Sequence, residues 1–235
     1  MIKSFHNKFL LILAMLSLST FIWADQNKTD VVERLQTSGK VLQEIMGTPD
    51  KGIPEEVMEG AKCVAVVPKM LKGGFVFGAQ HGRGVATCRL PNGQWSAPAF
   101  FTISGGSWGA QIGAEGVDLV MMIMNDQGMR HLLSNKFQVG GQASASAGPV
   151  GRHASAGTDW KASTEMLTYS RSKGAFAGLT LEGARITQDD DSDFAMYGKQ
   201  LTSEAILTGK VPVPAAARPF LAAVRGSKVQ AREKS

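Results

Sequence analysis

Three short patterns in this chain could do chemistry. Pro68-Lys69-Met70-Leu71-Lys72-Gly73-Gly74 sets two large apolar side chains between two lysines. Apolar tips of that kind enter the acyl boundary of a bilayer while flanking cations meet lipid phosphates, each lysine worth about 1 kcal/mol near an anionic surface. The segment joins two β-like runs and therefore predicts an exposed turn; the competing expectation is that Met70 and Leu71 fold back into the core. Arg83, and Arg152 in Gly148-Pro149-Val150-Gly151-Arg152, could add phosphate contacts. The second pattern, Gly105-Gly106-Ser107-Trp108-Gly109, matches G-x-S-x-G. It would make Ser107 a nucleophile if it stood on a strand–turn–helix elbow. Gly109, Gly113 and Gly116 follow it and lead into an extended run at 117–124, so a serine hydrolase ranks third and no residue is assigned as catalytic. The third pattern is Asp189, Asp191 and Asp193, alternating as in a calcium loop. Positions six and twelve of that loop hold Phe194 and Gln200 instead of Gly and Glu. Acids at a helix N-terminus fit better, because the helix dipole favours negative charge there. No metal and no cofactor is expected. His81, His131 and His153 lack ligand spacing, and no phosphate-cradling glycine loop is present.

Charge is spread unevenly over the elements that would position these residues. Residues 25–60 carry eight acids and four bases, whereas residues 61–114 carry Lys62, Lys69, Lys72, Arg83 and Arg89 and no acid. Such a block predicts a positive field over part of the surface. The alternative is that these cations flank buried strands and pair with the acidic N-terminal helix. That helix is predicted at 30–47 from the spacing of Val31, Leu35, Val41, Leu42, Ile45 and Met46, with Thr29 or Asp30 as its cap. It lacks aromatic anchors, which favours core packing over membrane insertion. A short second helix follows Pro54.

From 62 to 187 the pattern is β-like, and 20 of the 27 glycines fall between 73 and 183. Strands are predicted at 63–67, 74–80, 84–90, 97–103, 107–113, 117–124, 137–146, 151–157, 164–171 and 175–187. A tight turn is expected at Gly105-Gly106. One helix interrupts at 127–135, and others are expected at 190–208 and 214–225, before a frayed polar tail at 227–235. The fold class is α+β: a bent, largely antiparallel sheet or partial barrel with helices at both chain ends.

Residues 1–24 read as a secretory signal peptide. Lys3 and Lys8 precede an uncharged apolar run, Phe9 to Trp23, and Ala24 offers a small residue before Asp25. Removing the segment takes the formal charge from +5 to +3. Export to the periplasm or medium argues against nucleic acid as a partner. The only cysteines, Cys63 and Cys88, would meet an oxidising compartment and can form a bridge, or remain two buried thiols on unpaired strands.

Several blocks also resemble the SYLF domain family. They are Ala61-Lys62-Cys63-Val64-Ala65-Val66-Val67-Pro68, Gly73-Gly74-Phe75-Val76-Phe77-Gly78, Gly82-Arg83-Gly84-Val85, Trp95-Ser96-Ala97-Pro98-Ala99-Phe100, Ser107-Trp108-Gly109-Ala110-Gln111-Ile112-Gly113, Ala147 to Arg152 and Tyr169 to Gly183. The resemblance covers roughly residues 55–225, the β-rich domain being set at 61–226 after a helical segment at 25–60. It implies a phospholipid-binding, non-catalytic module, also described as an actin-binding domain in yeast endocytic proteins. For an exported chain, anionic phospholipid or a membrane surface is the expected partner, an envelope protein a possible one, and actin an unexpected one. Native material should begin near Asp25; an intact mass that still includes Met1 contradicts export with cleavage.

Overall fold

The computed structural model describes residues 27–48, 52–74, 77–108, 113–149, 164–172, 175–177 and 181–234. Helix α1 covers 27–47 and α2 covers Glu55–Gly60. Four long strands follow: β1 (Cys63–Gly74), β2 (Phe77–Cys88), β3 (Ala99–Trp108) and β4 (Gly113–Ile123). Then come α3 (Asp126–Leu133), β5 (Lys136–Gln138), β6 (Ala145–Ala147), β7 (Met166–Ser172), β8 (Ala175–Ala177) and β9 (Arg185–Gln188). The chain closes with α4 (Asp190–Tyr197), α5 (Ser203–Leu207), a 3-10 turn at Ala215–Ala217 and α6 (Arg218–Lys234). The strands form one sheet in the order β5-β9-β3-β2-β1-β4-β7-β6, with β8 also on β7. Every pairing is antiparallel except β6 with β7. This is the expected α+β fold, its sheet curled into a half-barrel.

The central strands are apolar on both sides because helices cover both faces. Cys63, Ala65 and Val67 of β1 join Leu119, Met121 and Ile123 of β4, and the layer is closed by Leu132 of α3 and Ile206 and Leu207 of α5. Val64, Val66, Val120 and Met122 face the other way, against Leu35, Leu42 and Ile45 of α1, Val57 of α2 and Phe220 of α6. Burying both faces removes the polar/apolar alternation of a half-exposed strand. Continuous runs such as Cys63–Val67 are therefore the ones at the centre.

Several predicted boundaries are corrected. The expected exposed turn at 68–74 is part of β1, which passes through Pro68 and Lys69 in a bulge. One extra residue is inserted against both neighbours: the register runs from Val66↔Val85 to Leu71↔His81 on β2 and from Val67↔Leu119 to Met70↔Val117 on β4. Lys69 takes φ 50, and its N–H donates to the Asp118 carboxylate at 3.0 Å instead of to the ladder. The bulge puts Val67 and Met70 on the same face, so Met70 is buried in the core. Gly105-Gly106 is not a turn either. β3 runs straight through it, and a Cβ on Gly105 would stand 2.8 Å from Ala184 Cα, so glycine admits a neighbouring backbone there. The expected strand at 137–146 is β5, a turn at 140–142 and the start of β6. The expected 175–187 strand divides into β8 and β9. The helix expected at 190–208 breaks where Gly198 adopts φ 69 and closes α4, and Thr202 then caps α5. The C-terminal helix continues to Lys234 instead of fraying after 226, in keeping with its run of good helix formers. The strand expected at 151–157 lies outside the described residues.

Cys63 and Cys88 stand directly opposite each other on β1 and β2 and are bridged, with Cα atoms 4.0 Å apart. The bridge closes a loop that spans both arms of the β1–β2 hairpin. Replacing both cysteines by alanine should cost roughly 3 kcal/mol of folding stability, mostly by releasing the unfolded chain. Chemical denaturation of the double variant checks this; an unchanged midpoint would mean that the bridge constrains nothing.

Candidate functional site

Helix α1 crosses the strands and is tied down at both ends by ion pairs. Near its start, Arg34 donates to Asp189 Oδ2 at 3.0 Å and lies 5.4 Å from the centre of the Phe100 ring. Arg83 of β2 reaches the same oxygen through Nε at 3.3 Å and Nη2 at 3.2 Å, and also donates to Ser192 Oγ at 2.9 Å. Asp189 meanwhile caps α4, its other oxygen accepting from the Ser192 N–H at 3.2 Å. Near the end of α1, Glu44 pairs with Arg171 of β7, which also reaches Asp118 at 3.3 Å. Asp118 is the same carboxylate that accepts the N–H of Lys69. The β1 bulge is thereby wired to the Glu44–Arg171 pair at the end of α1.

Burial works to raise the Asp189 carboxyl. The hydrogen bonds from Ser192 and Arg34 and the charges of Arg34 and Arg83 outweigh it, holding the carboxyl below its ordinary range. Asp193, one turn on, behaves oppositely. Its carboxylate accepts from the Phe100 N–H at 3.0 Å and from Gln188 Nε2 at 2.9 Å. Burial, joined by the charges of Asp189 and Asp190, pushes it up to about 7 despite those bonds. The three aspartates singled out in the sequence are thus a helix start: Asp189 caps, Asp193 buttresses β3, and Asp191 is exposed.

Lys69 and Arg83 come together. They line a groove of about 220 Å³ with Asp30, Glu33, Arg34 and Thr37 of α1. Leu71 is 59% exposed, the most exposed large apolar side chain among the described residues. It shares the α1-side face of the sheet with His81, its partner across β2, and with Arg83 two residues on. Met70 and Lys72 point to the opposite face, and Lys72 stands in register with Glu115. Met70, wholly buried, cannot be the insertion tip it was expected to be. Arg152 lies outside the described residues. Two of the other cations in the acid-free block are structural. Lys62 pairs with Asp126 at 2.6 Å; Arg89 packs 4.7 Å from the centre of the Trp95 ring and donates to the Met58 carbonyl at 3.2 Å. Sequence reasoning missed Arg34 and Asp189 as partners of Arg83, because their meeting depends on the order of the strands and not on spacing along the chain.

The G-x-S-x-G pattern does not form an elbow. Gly105 to Trp108 continue β3 and pair with Phe77 to Gln80 of β2, so Ser107 lies within a strand and, among the described residues, no helix follows it directly. A larger groove of about 420 Å³ lies between the 139–145 segment and Glu165 and Glu182. Glu165 there is engaged by His131 Nδ1 at 2.8 Å and by the Ser144 N–H at 3.4 Å. Glu165 thereby ties α3 to the segment around Ser144.

The family model described as Las17-binding protein actin regulator matches residues 104–227. The chain belongs to that family, the SYLF-type module its motifs resemble. Protein YSC84 of Saccharomyces cerevisiae is 38% identical over 177 residues, covering 73% of this chain and 37% of that protein. SH3 domain-containing protein PJ696.02 of Schizosaccharomyces pombe is 36% identical over 195 residues, 82% of this chain and 43% of its own. The human SH3 domain-containing YSC84-like protein 1 is 34% identical over 170 residues, 72% of this chain and 49% of its own. The chain thus spans less than half the length of each of these three relatives.

A raised carboxyl makes a signed prediction. The folded state holds the Asp193 proton that the unfolded chain releases near 3.8. Its contribution is therefore complete below that value and is lost as pH climbs through about 7. The full loss should be on the order of 4 kcal/mol. Asp193→Asn should flatten the fall in thermal midpoint between pH 5 and pH 8, even though it sacrifices one acceptor at every pH. Parallel wild-type and variant curves over that range would contradict the assignment.

Proposed function

We propose that this chain is an exported, non-catalytic phospholipid-binding module that makes peripheral contact with anionic lipid. The observation that carries the reading is the part of the sheet face beyond α1, where exposed Leu71 stands beside Lys69 and Arg83. An apolar tip among cations is what an acyl–headgroup boundary takes up. Lys72, on the opposite face, and Arg152 are the further cations assigned to the contact. Membership of the SYLF-type family supports the reading, and a cross-strand disulfide is in keeping with an oxidising compartment. No helix among the described residues is long and apolar enough to cross a membrane, and the contact proposed is peripheral.

A second reading is favoured by the family's description, which names Las17 binding and actin regulation. On that reading the same face docks a protein. Because the proposed compartment contains no actin, the partner would be an envelope protein.

Vesicle sedimentation separates the two. Binding should favour anionic over neutral vesicles and weaken with salt, since exposed charges are screened over about 8 Å at physiological ionic strength. Leu71→Ser should lower vesicle binding at an unchanged melting temperature. Met70→Ser should instead lose roughly 2–4 kcal/mol of stability through the cavity it leaves. Lys69→Glu should weaken binding without added backbone strain, because Glu tolerates positive φ no worse than Lys. Equal binding to both vesicle types, or none to either, favours the protein-docking reading.

A further inference from the structure

We propose that the groove between α1 and the bulged β1–β2 strands is a headgroup site for an aminoalkyl phosphate, in which a primary ammonium sits a few bonds from a phosphate. The inference rests on the lipid-binding reading and deepens it by naming the headgroup.

Acids on the helix face cations on the strands across the groove. At the floor, Arg34 of α1 and Arg83 of β2 share the single carboxylate of Asp189, which leaves one positive charge uncancelled. Lys69 adds a second, and among the described residues its ammonium has no carboxylate partner. On the helix side, Asp30 and Glu33 project into the same groove from one turn of α1. Neither has a hydrogen-bond or ion-pair partner among the described residues. The lining balances to zero net charge, with Lys69 and Arg83 on the strands facing Asp30 and Glu33 on the helix, as a zwitterionic ligand requires.

The hydrogen-bonding inventory agrees with the charges. Arg83 spends Nε and Nη2 on Asp189 and Ser192, and Nη1 is left without a partner among the described residues. Because the rest of its fork is held, that nitrogen is pre-aimed; a guanidinium so placed is well suited to a phosphate oxygen. Arg34, 7% exposed, fixes the floor. Opposite, two carboxylates and the Thr37 hydroxyl can accept the three N–H donors of a primary ammonium. A quaternary ammonium has no such donors and is usually received by an aromatic cage. No aromatic residue lines this groove. At about 220 Å³ the groove has room for a compact headgroup. Leu71, two residues beyond Lys69, would then meet the start of the acyl region.

The experiment holds the fraction of phosphatidylglycerol constant and makes the remaining lipid either phosphatidylcholine or phosphatidylethanolamine. Wild type should bind the ethanolamine vesicles about threefold more tightly, the scale of one or two exposed charge contacts. Asp30→Asn combined with Glu33→Gln should erase that preference while keeping binding to the choline vesicles. Both sites are exposed, and an unchanged melting temperature verifies the fold. Soluble O-phosphoethanolamine should shift the NMR amide signals of residues 30–37 and 69, and O-phosphocholine should not, which excludes an effect of bilayer packing. Equal affinity for the two vesicle types with no shift from O-phosphoethanolamine overturns the proposal and leaves lipid binding standing. A preference that survives the double substitution overturns it as well. Failure to bind any vesicle, with O-phosphoethanolamine still bound and sensitive to the double substitution, removes the lipid reading and identifies a free aminoalkyl phosphate as the ligand.

Discussion

One oxygen of Asp189 gathers donors from three separate parts of the chain. Arg34 comes from α1, Arg83 from β2, and Ser192 from the first turn of α4. The carboxylate is almost wholly buried, so leaving it without these donors would carry the full cost of an unpaired interior charge. The backbone beside it extends the joint. The Asp189 N–H bonds to the Phe100 carbonyl at 2.9 Å, and Asp193 takes the Phe100 N–H. Both polar groups of that residue are thus met where the β3–β9 ladder ends, and its ring supports Arg34. The start of α1, the middle of β2 and the start of the C-terminal helices are fastened at one point. Glu44, Arg171 and Asp118 repeat the arrangement on a smaller scale at the far end of α1.

This fastening decides where α1 can lie, and so which part of the sheet stays open. α1, α2 and α6 cover one face around Val64, Val85 and Val120, and α3 and α5 cover the other. On the α1 side, cover stops near Arg34. Beyond it the face carries Arg83, His81 and Leu71, and the bulge at Pro68-Lys69 turns the Lys69 side chain into the groove beside the helix. The bulge has a second consequence. By inserting one residue it reverses the facing of everything after it on β1, which exposes Leu71 and buries Met70.

Much of the fold was legible because its strongest signals are local. The period of Val31 to Met46, the apolar runs at 63–67 and 117–124, and the acids at the start of α4 all act within a few residues. Glycines were harder to read. Gly105-Gly106 looks like a turn, yet the need for glycine at 105 comes from Ala184, nearly eighty positions away. Gly82 and Gly84 similarly make room for Val67 and for the Phe101 ring in the curl of the sheet. Lys69 and Arg83 could be chosen from the acid-free block, but their common groove could not, because Asp30 and Glu33 reach it through the packing of α1. The bulge left no trace beyond Pro68, so a turn and a bulged strand looked alike.

Hydrogen–deuterium exchange of the protein with and without anionic vesicles tests the central claim most directly. Contact through the uncovered face predicts slower exchange on vesicle addition in the first half of α1 and in residues 68–83, with no change across α4 and α5. Protection confined to residues 139–147 or 203–213, or bound protein with no protected segment at 68–83, would contradict it.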